Sequence, residues 1–348
     1  MAEAPCGHSD RTGKRGVSRW LSFVAVAVLA GGIAAPSFAQ TDQPSAPAPT
    51  AAPADRPADD IEVIRARALE LVNQVRQEHG LPPLTLEDRL NQAAQAHAGD
   101  MFTRHYYSHD SLEGRTAHDR YIEAGGSKWR LIAENIAHCS GCRPPARVGI
   151  LNRLHRGWME SPTHRENILR PGLTHFGFGM MVDEERQLYA AQTFAGPGLP
   201  RGLQPEEDLT PLPAEEQARQ ALRWFNLARE KSGGARLEIS PALNQVAQAT
   251  LPDRGLEDFD LAGRKNVLDA LLRPARRQWR SFSVLAADCG GCGPAPTAAD
   301  VRYFAQQWLD DPSYKKDLLD PRLTHVGFAI ATNGDGMKVA LLVLGLGG

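Results

Sequence analysis

Three short stretches concentrate imidazole and carboxylate groups: YYSHDSLEGR with His109, LIAENIA with Glu134, and WMESPTHRENIL with Glu160 and His164. Imidazoles combined with a carboxylate suit a borderline divalent ion such as zinc, and an open fourth position is what a catalytic metal needs. The same groups also suit a metal-free polar cleft, in which Glu134 caps backbone groups and the imidazoles orient it. Both readings stand on the residues alone. Other histidines invite blander explanations. His97 lies on an apolar helical stripe and reads as a satisfied core histidine; His105, His118, His138 and His155 suggest no partner. His175 and His325 each stand in an LTH triplet ahead of a strand, which implies a shared structural role.

The elements that must position these groups are written twice. NQVRQEHGLPPLTLEDRLNQAAQAH from Asn73 recurs as NLAREKSGGARLEISPALNQVAQAT from Asn226, an offset of 153. Cys139-Ser-Gly-Cys142 recurs as Cys289-Gly-Gly-Cys292, each 19 residues ahead of a tryptophan, Trp158 or Trp308. LRPGLTHFGFG pairs with LDPRLTHVGFA. One unit therefore covers 61–198 and a second 213–348, with the Pro-rich joint 199–212 between them reading as a linker. In the first unit, Ile61, Ile64, Ala68, Leu71, Val72 and Val75 recur at helical spacing behind Asp59 and Asp60. Leu86, Leu90, Ala93, Ala94, His97 and Met101 mark a second helix, with Thr85 as cap and Asp88 at N3; its counterpart uses Ser240 followed by Pro241 at N1. A third helix leads to Trp158. The pattern then changes to strands in HFGFGMMV and QLYAAQTFAG around a turn at 183–186, and again in HVGFAIAT and KVALLVLGL. Helices first and an antiparallel hairpin last make an α+β fold.

The repeat separates scaffold from site. Glu134 corresponds to Val284, His164 to Tyr314 and His109 to Asp258, so each candidate group is replaced, whereas Asn226, Leu243, Trp308 and Gly327 are kept. A copy that keeps its core and loses its polar cleft is a packing or recognition partner for the first.

With LVNQVRQEHGLPPL and HAGDM before them and HFGFG and QTFAG after, the three His/Glu stretches resemble the bacterial branch of the CAP superfamily, the SCP-like extracellular proteins. The likeness covers nearly all of 61–196; the second unit shares it only through the repeat. The resemblance implies an α-β-α sandwich, here in two tandem copies, secretion, and a cleft in which two His and two acidic residues can hold a divalent metal. Carried over by motif, these are His109, Glu134 and His164. The fourth departs from the pattern: eukaryotic members carry Glu three residues after the tryptophan, where this chain has Ser161, and Glu160 sits one position earlier, about 100° away on a helix.

Charge and composition bound the rest. Lys+Arg 39 against Asp+Glu 41 gives a net charge of -2, which argues against nucleic acid as a partner. Lys14, Arg15 and Arg19 ahead of the apolar run 21–35, then Ser37-Phe38-Ala39, read as a signal peptide, 1–39, cleaved near Ala39 for export to the periplasm or medium. The Pro/Ala-rich stretch 40–60 reads as a disordered spacer. Four cysteines then remain, and an even count in an oxidising compartment favours disulfides. Repeat symmetry favours Cys139 with Cys142 and Cys289 with Cys292; bridges between units, or a four-thiolate zinc site, are the alternatives. A thioredoxin-like role is disfavoured because neither pair follows a strand or opens a helix in a βαβ context. The expected function is a secreted binding module that takes a small extracellular ligand, a lipid or cell-wall fragment, around His109, Glu134, His164 and Glu160, with the two repeats packed together. A metal-dependent hydrolase at the same cleft, with Glu134 or Glu160 as base, and an envelope scaffold are the competing expectations.

Overall fold

A computed structural model describes residues 60–142, 147–183 and 187–346. The expected signal peptide, and all of the Pro/Ala-rich stretch except Asp60, lie outside them. The first domain runs α1 (Ile61–Glu78), β1 (Thr85–Leu86), α2 (Asp88–Arg104), α3 (Ala117–Glu123), β2 (Leu131–Ser140), α4 (Arg147–Glu160), α5 (Pro162–Ile168), β3 (His175–Val182) and β4 (Gln187–Gly196). The second repeats it as α6 (Ala214–Lys231), β5 (Glu238–Ile239), α7 (Pro241–Thr250), α8 (Lys265–Leu272), β6 (Ser281–Cys289), α9 (Ala298–Asp310), α10 (Pro312–Leu318), β7 (Leu323–Thr332) and β8 (Lys338–Leu346). Each domain holds a four-stranded sheet, in the orders β1-β3-β4-β2 and β5-β7-β8-β6.

Alternation along the strands creates three layers. Phe176, Phe178, Met180, Leu188, Ala190 and Phe194 bury one face against Ile64, Ala68 and Val72 of α1 and Ile150, Leu151 and Trp158 of α4. The opposite face meets α2, where Ala94 and Met101 pack on Ile136, Tyr189 and Ala191. Close approach of α2 depends on Gly177, since a Cβ there would stand 2.2 Å from the Leu90 carbonyl carbon; Gly327 faces Leu243 in the same way at 2.1 Å. An α-β-α sandwich results, twice.

The kept scaffold residues explain the shared architecture. Asn73 Nδ2 donates to Leu84 O (2.9 Å) and its Oδ1 accepts from Leu84 N (2.8 Å); Asn226 does the same with Leu237 at 3.0 and 2.7 Å. Arg76, fully buried, donates to the carbonyls of Pro82, Ile168 and Arg170, and Arg229 to those of Ala235, Leu318 and Asp320. A buried guanidinium is tolerable because carbonyl oxygens, which can only accept, surround it.

Two local expectations need correction. Thr85 does not cap α2: it belongs to β1, pairs with His175 and donates its N–H to Thr174 O, so the helix starts at Asp88 with Glu87 as N-cap and no side-chain cap bond. Ser240 does cap α7, accepting from Leu243 N. Each cysteine pair does follow a strand, since Cys139 lies in β2 and Cys289 ends β6, but both strands are antiparallel to their neighbours, so no βαβ unit arises. The bonds link Cys139 to Cys142 and Cys289 to Cys292, with Cα–Cα 5.9 and 6.1 Å.

The joint is fastened at several points. Arg302 makes a forked pair with Glu207 (2.6 and 2.7 Å) and reaches Gly202 O, while Leu212 N donates to Pro296 O. Between the domains, Gly291 N donates to Trp129 O (2.6 Å), Gly293 N to Pro197 O (2.8 Å), and Arg130 Nε to both oxygens of Asp335 (2.7 and 2.8 Å). Among the described residues no helix is long and apolar enough to cross a membrane.

Candidate functional site

Strand β2 lies at the sheet edge, so its outward carbonyls need partners other than a strand. Side chains supply them. Trp158 Nε1 (3.0 Å) and Tyr107 Oη (3.1 Å) donate to Ile136 O, and Asn167 Nδ2 donates to Glu134 O (3.0 Å) and to Asn135 Oδ1 (3.0 Å). Asn135, on the α1/α4 side, donates to His164 O and Gln192 Oε1.

Glu134 points to the α2/α3 side and its side chain is 4% exposed. Arg120 Nη2 holds Oε2 at 2.7 Å, His109 Nδ1 meets Oε1 at 3.0 Å, and His97 Nε2 lies 3.8 Å from the same oxygen. Arg120 also donates to Arg115 O and His109 O, which fixes the loop that carries His109. His109 is the member open to solvent, with its side chain 54% exposed. His164 is half-buried on α5, close enough to His109 for its charge to be felt.

Burial alone would raise the Glu134 carboxyl. The hydrogen bond from His109 and the Arg120 and His97 charges outweigh it and hold the group below its ordinary value, as a carboxylate. Burial pushes His97 down, with Glu134 opposing, and pushes His164 down, with His109 adding to it.

The sequence-named residues are thus divided. His109 and Glu134 are bonded to each other and His164 flanks them. Glu160 is exposed at the end of α4 and makes no hydrogen bond or ion pair among the described residues. Nor do these groups assemble as metal ligands: although His97 and His109 both approach Glu134, no group of three or more His, Cys, Asp or Glu side chains among the described residues is arranged to hold an ion. The donor set explains this, since Glu134 spends one oxygen on Arg120 and the other on His109, and a zinc ligand would have to give one up.

Arg120 was missed because it sits in a seven-residue helix with no motif of its own; the available signal was that a carboxylate inside an apolar strand requires a cation. His97 is only half satisfied, since Nε2 meets Ser108 O at 3.0 Å but Nδ1 is buried without a hydrogen-bond partner among the described residues. His118 bonds Lys128 O, His138 stacks on Tyr189 at 4.4 Å, His105 ends α2 in the left-handed region, and His155 is part-buried on α4 with an unpartnered Nδ1. His175 and His325 each bond the preceding threonine hydroxyl (2.7 and 2.9 Å), the same local role twice.

In the second domain the corresponding face is hydrocarbon. Val284 packs with Leu243, Leu272, Leu341 and Val343 where the first domain carries Glu134 and its partners, and Thr250 stands in place of His97.

The family described as "Cysteine-rich secretory protein family" (CAP) matches this chain over residues 69–194 and again over 222–344. The uncharacterized protein YkwD of Bacillus subtilis is 33% identical over 119 residues, which cover 34% of this chain and 43% of that protein. The uncharacterized membrane protein YlbC of the same organism is 33% identical over 112 residues, 32% of this chain and 30% of that one. The chain therefore spans less than half the length of these curated relatives. Among solved structures, an extracellular SCP-domain protein from Bacillus anthracis is similar at 29% identity with a TM-score of 0.31, covering 38% of this chain and 40% of that chain.

Proposed function

Because the chain belongs to the cysteine-rich secretory protein family, with two tandem domains of that type, we propose that it is an exported binding module whose first domain takes a small extracellular ligand in the cleft of His109, Glu134 and His164. One observation carries this reading: the second domain builds the same sandwich with hydrocarbon in place of the polar set. Replacing a buried ion pair by well-packed hydrophobic groups is often neutral or stabilising by about 1–4 kcal/mol. The fold does not need Glu134, Arg120 and the imidazoles, so their presence in one copy supports a task other than folding.

Binding is favoured over metal-assisted hydrolysis because both Glu134 oxygens are already engaged. A hydrolase would need a free carboxylate to act as base or ligand, and Glu160 makes no hydrogen bond or ion pair to the network among the described residues. What the cleft offers a ligand is the exposed edge of His109, oriented by Glu134, with His164 beside it. Two disulfides and an N-terminal segment with the pattern of a signal peptide support export.

The test is cosedimentation of the purified chain with insoluble peptidoglycan sacculi and, separately, with phosphatidylglycerol vesicles. One of the two is expected to retain the protein, with retention falling at least fivefold in His109→Ala and in His164→Ala. Undiminished retention in both variants refutes the cleft. Elemental analysis of the same preparations checks the hydrolase reading, which requires a stoichiometric metal that is lost in these variants.

A further inference from the structure

The side of β2 to which Glu134 points is shared by Ile136 and His138, because alternate residues of a strand face the same way. A ring accompanies each of the three. His109 bonds the Glu134 carboxylate (3.0 Å), Tyr107 Oη donates to Ile136 O (3.1 Å), and His138 stacks on Tyr189 at 4.4 Å with the Tyr107 ring 6.0 Å from it. These rings are open to solvent: Tyr107 is 51% exposed, the His109 side chain 54%, and His138 is exposed. The row follows the strand for about 13 Å, four residues at about 3.3 Å each. Tyr107, Leu112 and Ile122 are also the large hydrophobic side chains left exposed among the described residues of the first domain, and all stand on the loop that carries His109 or on α3 after it. Exposed apolar surface gathered in one place marks an interaction site.

We propose that this row is the seat of a linear, uncharged oligosaccharide whose sugar rings lie against Tyr107 and His138, beside His109. The proposal rests on the reading of the His109 cleft as a ligand site and names the class of ligand. A pyranose has an apolar C–H face and a rim of hydroxyls, and aromatic faces bordered by hydrogen-bonding groups match both. Tyr107 is a prearranged face, because the bond from its hydroxyl fixes the ring before a ligand arrives. His109 Nε2, His138 Nδ1 and Gln187 Nε2 supply the rim: each belongs to a side chain whose other polar atom is engaged, and each has no hydrogen-bond partner of its own among the described residues. The cations flanking His109 in sequence, Arg104, Arg115 and Arg120, are all paired with carboxylates, so none is left over for the phosphate of a lipid headgroup. An extended peptide is disfavoured too, since it would bond to the strand edge, where Asn167, Trp158 and Tyr107 already occupy the Glu134 and Ile136 carbonyls. The row is confined to the first copy. Tyr107, His109, His138 and Tyr189 correspond to Leu256, Asp258, Asp288 and Val339, and Leu256 is part of the second core.

Isothermal titration calorimetry of the full chain with N-acetylglucosamine, chitobiose and chitotetraose tests the row. Affinity is expected to rise at least tenfold from the monosaccharide to chitotetraose, because only the longer chain spans from His109 to His138. Tyr107→Ala should lower chitotetraose affinity at least tenfold, whereas Tyr107→Phe, which keeps the ring face, should stay within threefold of the parent. His138→Ala should erase most of the gain between chitobiose and chitotetraose. No binding of any of the three sugars, affinity that does not rise with length, chitotetraose affinity unmoved by Tyr107→Ala, or an equal loss in Tyr107→Phe would each overturn the proposal. The cleft reading fails on a different result. Retention by phosphatidylglycerol vesicles that is lost in His109→Ala, with no oligosaccharide bound, sinks the row and leaves the cleft standing; oligosaccharide binding that depends on Tyr107 but not on His109 or His164 sinks the cleft and leaves the row.

Discussion

Replacing Arg120 by Met removes the cation from a carboxylate that is 4% exposed. Breaking a buried pair by deleting one partner costs about 3–5 kcal/mol, because the remaining charge is uncompensated. Part of the loss arises elsewhere, since the carbonyls of Arg115 and His109 also lose their donor, about 1 kcal/mol each. At roughly 2–4 °C per kcal/mol for a domain of this size, the first-domain melting transition should fall by about 6–20 °C in scanning calorimetry. Glu134→Gln made in the same background removes the orphaned charge and should recover about 2 kcal/mol, leaving the carbonyl losses behind. The double-mutant cycle would then give a coupling well above the roughly 0.5 kcal/mol expected of independent sites. Additivity within that margin would refute the claim that Arg120 holds Glu134 in its charged form.

Acid should weaken the first domain in two stages. His97 and His164 are both depressed below 6.5 in the fold, so the unfolded chain binds more protons and stability, full above about pH 6.5, declines as pH falls toward their folded values. Glu134, depressed below 4.5, adds a further loss as pH falls below that value; melting temperature measured from pH 8 down to about pH 2 checks both. In the second domain Lys338 and Asp300 form a fully buried pair at 2.6 Å, so Lys338→Met should cost about 3–5 kcal/mol, read as a fall in the second transition alone. Asp335→Ala removes the part-exposed bond to Arg130 while leaving Arg130 on Glu87 and should cost no more than about 1 kcal/mol. It should nonetheless speed tryptic cleavage after Arg201 in the joint severalfold, followed by gel electrophoresis.

The hairpins were legible almost to the residue because their strands are short, nearly uninterrupted apolar runs, buried on both faces, and the first pair is separated by the polar turn at Asp183. Strand β2 was not, because Glu134 and Asn135 interrupt its apolar run. The cleft was half legible. Its histidines and glutamate stand in recognisable motifs, but the groups that set their electrostatics, Arg120 and His97, come from a short helix and from the interior of an amphipathic one, where spacing says "core" whatever the side chain does. The α2 cap went wrong for a related reason: Thr85 and Asp88 have capping-box spacing, yet two residues of pairing with β3 took priority.

The contact at Trp129 has a mechanical meaning. Gly291 of the second domain grips the Trp129 carbonyl, and Trp129 stands five positions ahead of Glu134, about 16 Å along the strand that follows. Arg130, the next residue, is tied to both domains through Glu87 and Asp335. The entrance to β2 is therefore anchored from outside its own sheet, and the cross-linked Cys289–Cys292 turn forms that anchor. A copy that lacks the polar set thereby acts as a foundation for the one that carries it: it holds, from outside the first sheet, the two residues from which the glutamate-bearing edge strand starts.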